Sequence, residues 1–306
     1  MKLIRLNSFL YLFCILSVFA SCVQKPDSSV EDWNRTFINT KKLISEACLD
    51  RELILGRPFL IQYVDSSLLI YDDIGDSLFL LVDLKENDRV YRFGQKGEGN
   101  NEFLQVFAFC NMKSDSILGV YDAYKHELRE INLDKVKRGE MNFPVVFKDT
   151  LSSIKLSPTK YDAYLGLGFY ESNMLSLTDN SIGSKFFFEY PYKDSREKAI
   201  SNRLRGMAYQ GTLCSNRSLD KFLYAVCSAP IFMLFSVNKD GIEKTYELIG
   251  GYPNYVTEET GEYRSAPMSA DNKMSFTMAY ATDNYIYLLY SCLLYTSPSP
   301  RDAHES

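Results

Sequence analysis

The sequence predicts an all-β fold, a β-propeller of six blades whose last blade lies outside this chain. Three observations predict it. From Leu53 onward, apolar runs of four to seven residues alternate with Asp, Asn, Gly and Lys clusters, the pattern of short strands and turns. An acidic residue leading into an apolar strand recurs at Asp65, Asp115, Glu171, Asp220 and Asp283, with starts 50, 56, 49 and 63 residues apart. Periods of this size mark propellers and related arrays. No helical pattern of ten or more residues lies between the strands, which argues against a parallel α/β sheet.

Each unit follows the same physical grammar. A polar turn leads into a strand that is apolar on both faces, as in Ser67-Leu68-Leu69-Ile70-Tyr71 and Ile117-Leu118-Gly119-Val120-Tyr121. Further strands follow after turns: 78–84 after Asp76-Ser77, 89–93 after Asn87-Asp88, and 126–133 after Asp122-Ala123-Tyr124-Lys125. Residues 233–237 run through Asn238-Lys239-Asp240-Gly241 into 244–249, a hairpin signal. A four-stranded meander cannot bury both faces alone, and radial stacking of such sheets does. A β-sandwich accounts for the short strands but not for the period. Five units are countable over residues 53–291, and the closing strand of a ring is expected beyond Ser291, with a complete five-bladed ring as the alternative to six blades.

The N-terminus reads as a targeting segment. Lys2 and Arg5 precede an apolar run at 9–19, and Ala20, Ser21 and Cys22 follow. Such a run suits a secretory signal and is too short to span a bilayer, so 1–21 is taken as a signal peptide. Phe19-Ala20-Ser21-Cys22 resembles a bacterial lipobox, with Phe in the usual Leu position. The resemblance implies acylation of Cys22 and attachment to the outer membrane through lipid. Residues 22–52 are then a tether and lead-in. Lys25 and Asp27 only hint at a surface-export tag, so the membrane face stays open. Leu43, Ile44 and Ala47 fall at short helical spacing in the lead-in.

The C-terminus has a different character. Cys292-Leu293-Leu294-Tyr295-Thr296-Ser297-Pro298-Ser299-Pro300-Arg301-Asp302 resembles the translation of a transposase-type sequencing adapter, with 303–306 as index sequence. On that reading 292–306 is not native and the natural protein is longer.

Composition narrows the chemistry. The formal net charge is −5 and no basic stripe appears, which argues against a nucleic-acid partner. The 22 Tyr and 20 Phe suit strands, whose pleated surfaces favour aromatic side chains. Outside the signal, the anchor and the tail, the cysteines are Cys48, Cys110, Cys214 and Cys227. They form no C-x-x-C and no zinc spacing, and small half-buried thiols are expected. Cys214 and Cys227 are the one pair close enough in sequence for a disulfide to be considered. His126 and His304 are the two histidines, so a His-dependent triad would rest on His126, read here as a turn residue. No catalytic residue and no cofactor is assigned.

The run Arg92-Phe93-Gly94-Gln95-Lys96-Gly97-Glu98-Gly99-Asn100-Asn101-Glu102-Phe103 resembles a motif of six-bladed, TolB-like β-propeller lipoproteins of the Bacteroides group. Gly94, Gly97, Gly99, Glu102 and Phe103 match its Gly-x-x-Gly-x-Gly-Pro-x-Glu-Phe pattern, with Asn100 in place of Pro. The run lacks the Lys-Ser/Thr ending of a phosphate loop. It is read as a structural turn with φ > 0 at several glycines, Glu102 accepting backbone N–H bonds and Phe103 plugging the next blade. The resemblance implies a binding or scaffolding role at the cell envelope, toward an envelope protein or a glycan. Candidate contact loops are Tyr190-Pro191-Tyr192-Lys193-Asp194 and Gly250-Gly251-Tyr252-Pro253-Asn254-Tyr255. The alternative is a propeller-type hydrolase or lyase with a calcium-like metal held by Asp72, Asp122 and Asp179.

Overall fold

A computed structural model describes residues 39, 41–45, 53–74, 76–85, 89–179, 183–261, 263–291 and 293. The signal peptide, Cys22, Cys48, Cys292 and most of the tail lie outside the described residues.

The first sheet is an antiparallel meander of β1 (Pro58–Val64), β2 (Ser67–Asp72), β3 (Phe79–Asp83) and β4 (Arg89–Phe93). Two short strands, β5 (Gln95–Lys96) and β6 (Glu102–Phe103), close the glycine-rich connection. The second sheet holds β7 (Val106–Asn111), β8 (Ile117–Asp122), β9 (Glu127–Asn132) and β10 (Val145–Lys148), with α1 (Leu133–Lys137) between its last two strands. The third holds β11 (Lys155–Pro158), β12 (Ala163–Leu167), β13 (Leu175–Asp179) and β14 (Gly183–Phe187). Helices α2 (Ser195–Lys198) and α3 (Asn202–Ala208) lead to the fourth: β15 (Gly211–Ser215), β16 (Lys221–Val226), β17 (Ile231–Val237) and β18 (Ile242–Ile249). A hairpin of β19 (Glu258–Thr260) and β20 (Tyr263–Ser265) precedes a two-stranded sheet of β21 (Phe276–Ala281) and β22 (Ile286–Tyr290).

The sheets stand radially. Strand β7 lies against β1, β11 and β15, and β15 lies against β11 and β21, so the first strand of each sheet faces the axis. Middle strands such as β3 and β16 are buried on both faces, while the outer β14 is mostly exposed. Separate apolar clusters fill the wedges between successive sheets. Leu69, Phe79 and Leu81 meet Val106, Leu118 and Ile131. Leu128 and Phe147 meet Leu156. Leu165 and Leu175 meet Phe222 and Tyr224, and Leu223 and Phe232 meet Phe276. The outer side of the first sheet is covered by Leu53 and Leu55, which pack on Ile70, Leu80 and Val82. Each buried Leu or Phe is worth about 2 kcal/mol of burial.

The third repeat needs a correction. The run beginning at Glu171 is expected to copy the strands led by Asp65 and Asp115, which are β2 and β8, but it becomes β13, third in its sheet. The equivalent of β2 and β8 is β12, introduced by Asp162, whose φ of 58° matches the left-handed turn at Asp65 with φ 43°. A second likeness supports this register. Gly119 in β8 and Gly166 in β12 both sit where a Cβ would strike a neighbour, 2.4 Å from Cys110 Sγ and 2.5 Å from Ser153 Oγ respectively. The four-residue turn at 238–241 forms as a hairpin, with Asn238 Oδ1 accepting from Asp240 N and Gly241 N. Leu43 and Ile44 lie in no helix and are exposed. The short helices are capped locally, by Asn132 Oδ1, Asp194 Oδ1 and Ser201 Oγ accepting first-turn N–H groups.

Gly94 and Gly139 separate two costs. Both have positive φ, 73° and 82°. A Cβ at Gly94 would lie 2.5 Å from the Phe79 ring, whereas one at Gly139 meets nothing within 4 Å. Gly139→Ala is expected to cost about 1 kcal/mol from backbone strain, and Gly94→Ala about 3 kcal/mol because Phe79 must also move. Urea unfolding of the two variants measures the difference.

Candidate functional site

The first strands of the five sheets, together with β22, line an open-sided cavity of about 1060 Å³. In β7, half-buried Phe107 and Phe109 and buried Ala108 and Cys110 all line it. Half-buried Thr212 and Cys214 line it from β15. Phe59, Ile61 and Tyr63 of β1, Met278 and Tyr280 of β21 and Tyr287 of β22 line one side and are partly exposed. The site is therefore apolar and aromatic, like most small-molecule sites.

Among the described residues one charged side chain reaches it. Lys155 opens β11, its Nζ donates to the Phe107 carbonyl, and it lies 5.8 Å from the Phe107 ring centroid. No Asp or Glu is among the described residues of the cavity wall. Burial brings the ammonium down to about 8, against an opposing effect of Cys227. Cys110, Cys214 and Cys227 are free thiols at the same wall, and burial pushes all three up, Cys110 and Cys214 to about 12.

The glycine turn lies elsewhere and is a joint between the first two sheets. Only Gly94 has positive φ; Gly97 and Gly99 do not, which corrects the expectation of several such positions. Those two glycines instead leave room for Glu102: a Cβ would lie 2.1 Å and 3.0 Å from its carboxylate. Glu102 Oε2 accepts from Gly99 N at 2.8 Å. Lys125 Nζ donates to the carbonyls of Glu98, Gly99 and Glu102, at 2.8–3.1 Å. Phe103 is fully buried among Phe79, Phe143 and the buried Arg129, 4.9 Å from the Phe79 centroid.

The three aspartates offered for a metal are not brought together at the cavity. Asp72 accepts from the N–H groups of Gly56 and Arg57, at 2.6 and 2.8 Å. Burial pushes its carboxyl up, but those N–H groups and that of Ile74 pull it below the usual range. Asp122, fully buried, accepts from Leu104, Gln105, Tyr124 and Lys125 N–H groups. These two fasten the entry to β1 and β7. Asp179 ends β13, at a different place in its sheet. Among the described residues no group of three or more His, Cys, Asp or Glu is placed to hold a metal. His126 occupies the β8–β9 turn with φ 54°, and its buried Nδ1 has no hydrogen-bond partner. It thus lacks the carboxylate contact that orients a triad histidine.

The two candidate contact loops are split, with most of their tyrosines drawn inward and Lys193, Asp194 and Asn254 exposed. Tyr190 is buried and donates to the Gly168 carbonyl at 3.1 Å, and Asp194 caps α2. Tyr252 and Tyr255 pack on the core between the third and fourth sheets. Tyr192 alone among these tyrosines is exposed, flanked by Lys198 and Arg205. Sequence reasoning missed Lys155. The signal available was its position as the lone charge opening the first strand of a unit.

A family model described as TolB-like 6-blade propeller-like matches residues 36–302. The chain belongs to that family. Among solved structures, this propeller is similar to an exported protein of Bacteroides fragilis NCTC 9343, at 12% identity and TM-score 0.48, covering 79% of this chain and 74% of that one. A duf4221 family member from Bacteroides vulgatus is 11% identical with TM-score 0.39, covering 72% and 62%. The β-propeller domain of Cps50 (Swd1) from Myceliophteria thermophila is 12% identical with TM-score 0.39, covering 79% and 73%. No curated protein matches the chain.

The depressed Lys155 gives a pH test. Between about pH 8 and 10.5 the unfolded chain holds this proton and the folded propeller does not, so its contribution makes stability rise with pH in that window. The buried thiols act oppositely above pH 9, because they ionise only when unfolded. Subtracting the unfolding free energy of Lys155→Met from that of the original chain isolates the lysine. The difference is expected to climb from pH 8 to 10 in favour of the original chain.

Proposed function

We propose that this propeller is an envelope-anchored binding protein without enzymatic activity, held to the outer membrane by lipid on Cys22 and taking its ligand in the axial cavity. The observation that carries the reading is the cavity itself, whose described residues form aromatic and aliphatic walls with one cation and no carboxylate. Such walls suit an apolar or flat-faced ligand, and they lack the paired acid and base groups that hydrolysis requires. The metal-dependent alternative has less support, because Asp72 and Asp122 spend their oxygens on backbone N–H groups.

The anchor rests on the sequence around Cys22. Several acyl chains, each contributing about 0.8 kcal/mol per buried CH₂, hold a protein firmly at a bilayer. No helix among the described residues is long and apolar enough to cross a membrane.

Two measurements test this reading. The neutral dye N-phenyl-1-naphthylamine is expected to bind with one-to-one stoichiometry and to lose at least tenfold in affinity in Thr212→Trp, which projects an indole into the cavity. Equal dye binding by both proteins would place the ligand site elsewhere. In cells, Cys22→Ala is expected to move the protein from the membrane pellet to the soluble fraction. Retention in the pellet would rule out the lipid anchor.

A further inference from the structure

We infer that a polar pocket at the glycine turn is a binding site for a neutral saccharide, separate from the axial cavity.

The pocket has a volume of about 520 Å³, within the usual range of ligand sites. It lies at the joint between the first two sheets, where the β2–β3 connection, the end of β4, the glycine turn and the connection from α1 to β10 meet. Among the described residues, its polar side chains are Ser77, Arg92, Gln95, Asn100, Asn101 and Glu102. The described residues of this pocket and of the axial cavity do not overlap.

These groups suit hydroxyls. A hydroxyl both donates and accepts, and neighbouring hydroxyls on a sugar ring present such groups in pairs. The amides of Gln95, Asn100 and Asn101 set an acceptor beside donors, Arg92 offers a fork of donors, and Glu102 offers paired acceptors. Glu102 Oε2 already accepts from Gly99 N at 2.8 Å, and Asn101 Oδ1 from Phe143 N at 3.1 Å, which leaves Oε1 and Nδ2 of these two for a ligand. Arg92, Gln95 and Asn100 are exposed, so a ligand can reach them without disturbing packed side chains. Arg92 and Glu102 carry opposite charges, and the wall as a whole therefore favours neither a cation nor an anion.

The apolar share of the wall is small. Phe93 and Phe143 are buried, and Met141 is the exposed member of the apolar set. One thioether patch matches the C–H face of a sugar ring. An extended peptide calls for pockets for its alternate side chains, and Met141 by itself is a poor match to that need.

The turn is also held in place before a ligand arrives. Buried Arg129 donates to the Asn100 carbonyl, and Lys125 Nζ ties together the carbonyls of Glu98, Gly99 and Glu102. Fixing a site in advance lowers the cost of binding. Asn100 stands where the glycine motif has Pro, so this chain carries an amide at a position that the motif leaves without one.

Isothermal titration of the full chain with maltotriose, cellotriose and chitotriose, and with tetra-alanine as a peptide control, provides the test. At least one trisaccharide is expected to bind with one-to-one stoichiometry, and tetra-alanine to give no binding heat. The double variant Gln95→Ala with Asn100→Ala is expected to weaken that sugar at least about tenfold, the effect of losing two or more hydrogen bonds, and to leave the thermal melt unchanged. Binding of none of the three sugars overturns the inference. So does tetra-alanine binding in their place, or an undiminished sugar affinity in the double variant. Dye binding in the axial cavity is read separately, so failure here leaves that reading standing. Should the double variant fail to fold, Asn100→Ala alone decides, with at least about a threefold loss expected.

Discussion

The middle strands of each sheet carry apolar side chains on both faces, and only a neighbouring sheet on each side can take them out of water. Strand β3 is the clearest case, with all five residues buried. Leu81 and Phe79 face the second sheet, while Leu80 and Val82 face the other way onto Leu53 and Leu55. A sandwich satisfies one face per sheet. Radial packing satisfies both, and it turns each wedge between sheets into its own apolar cluster. The TolB-like arrangement follows from this demand, and so does the convergence of first strands on one axis.

That convergence also creates the cavity. The first strands line it with half-buried and buried side chains alike, as Phe109 and Ala108 do in β7. The half-buried members of this set need not pack tightly, so ligand chemistry can reside there without weakening the fold. Joints between sheets hold the frame that positions this set. Asp72 and Asp122 tie the chain entering β1 and β7 to the ends of β2 and β8. Lys125 and Glu102 clamp the glycine turn from both sides, one through its carbonyls and the other through an N–H.

Much of the strand pattern was legible in the residues. The 89–93 run is β4 to the residue, and Asn238-Lys239-Asp240-Gly241 makes its hairpin. The third unit was misread because Glu171 offers an acidic start and an apolar run, while Asp162 sits only a few residues after the preceding strand. What distinguishes the right copy is Gly166, matched to Gly119 by the lack of room for a Cβ, and room is a property of the packed neighbours. The same limit applies to Tyr190 and Tyr255. Their Tyr-Pro-rich context reads as exposed loop, yet both are taken into the wedge by the sheet beside them.

By itself the sequence determined the class of structure, because period and alternation are local properties of the chain: short strands, most of their turns, and sheets that must be covered on two faces. It also carried the signal-like N-terminus and the glycine turn. Only the tertiary structure decided which side chains share the axis. Lys155, Phe107, Thr212 and Tyr280 come from four sheets and are far apart in the chain. Their meeting depends on the rotation between neighbouring sheets, which is set by side-chain packing in the wedges and leaves no periodic trace in the order of residues.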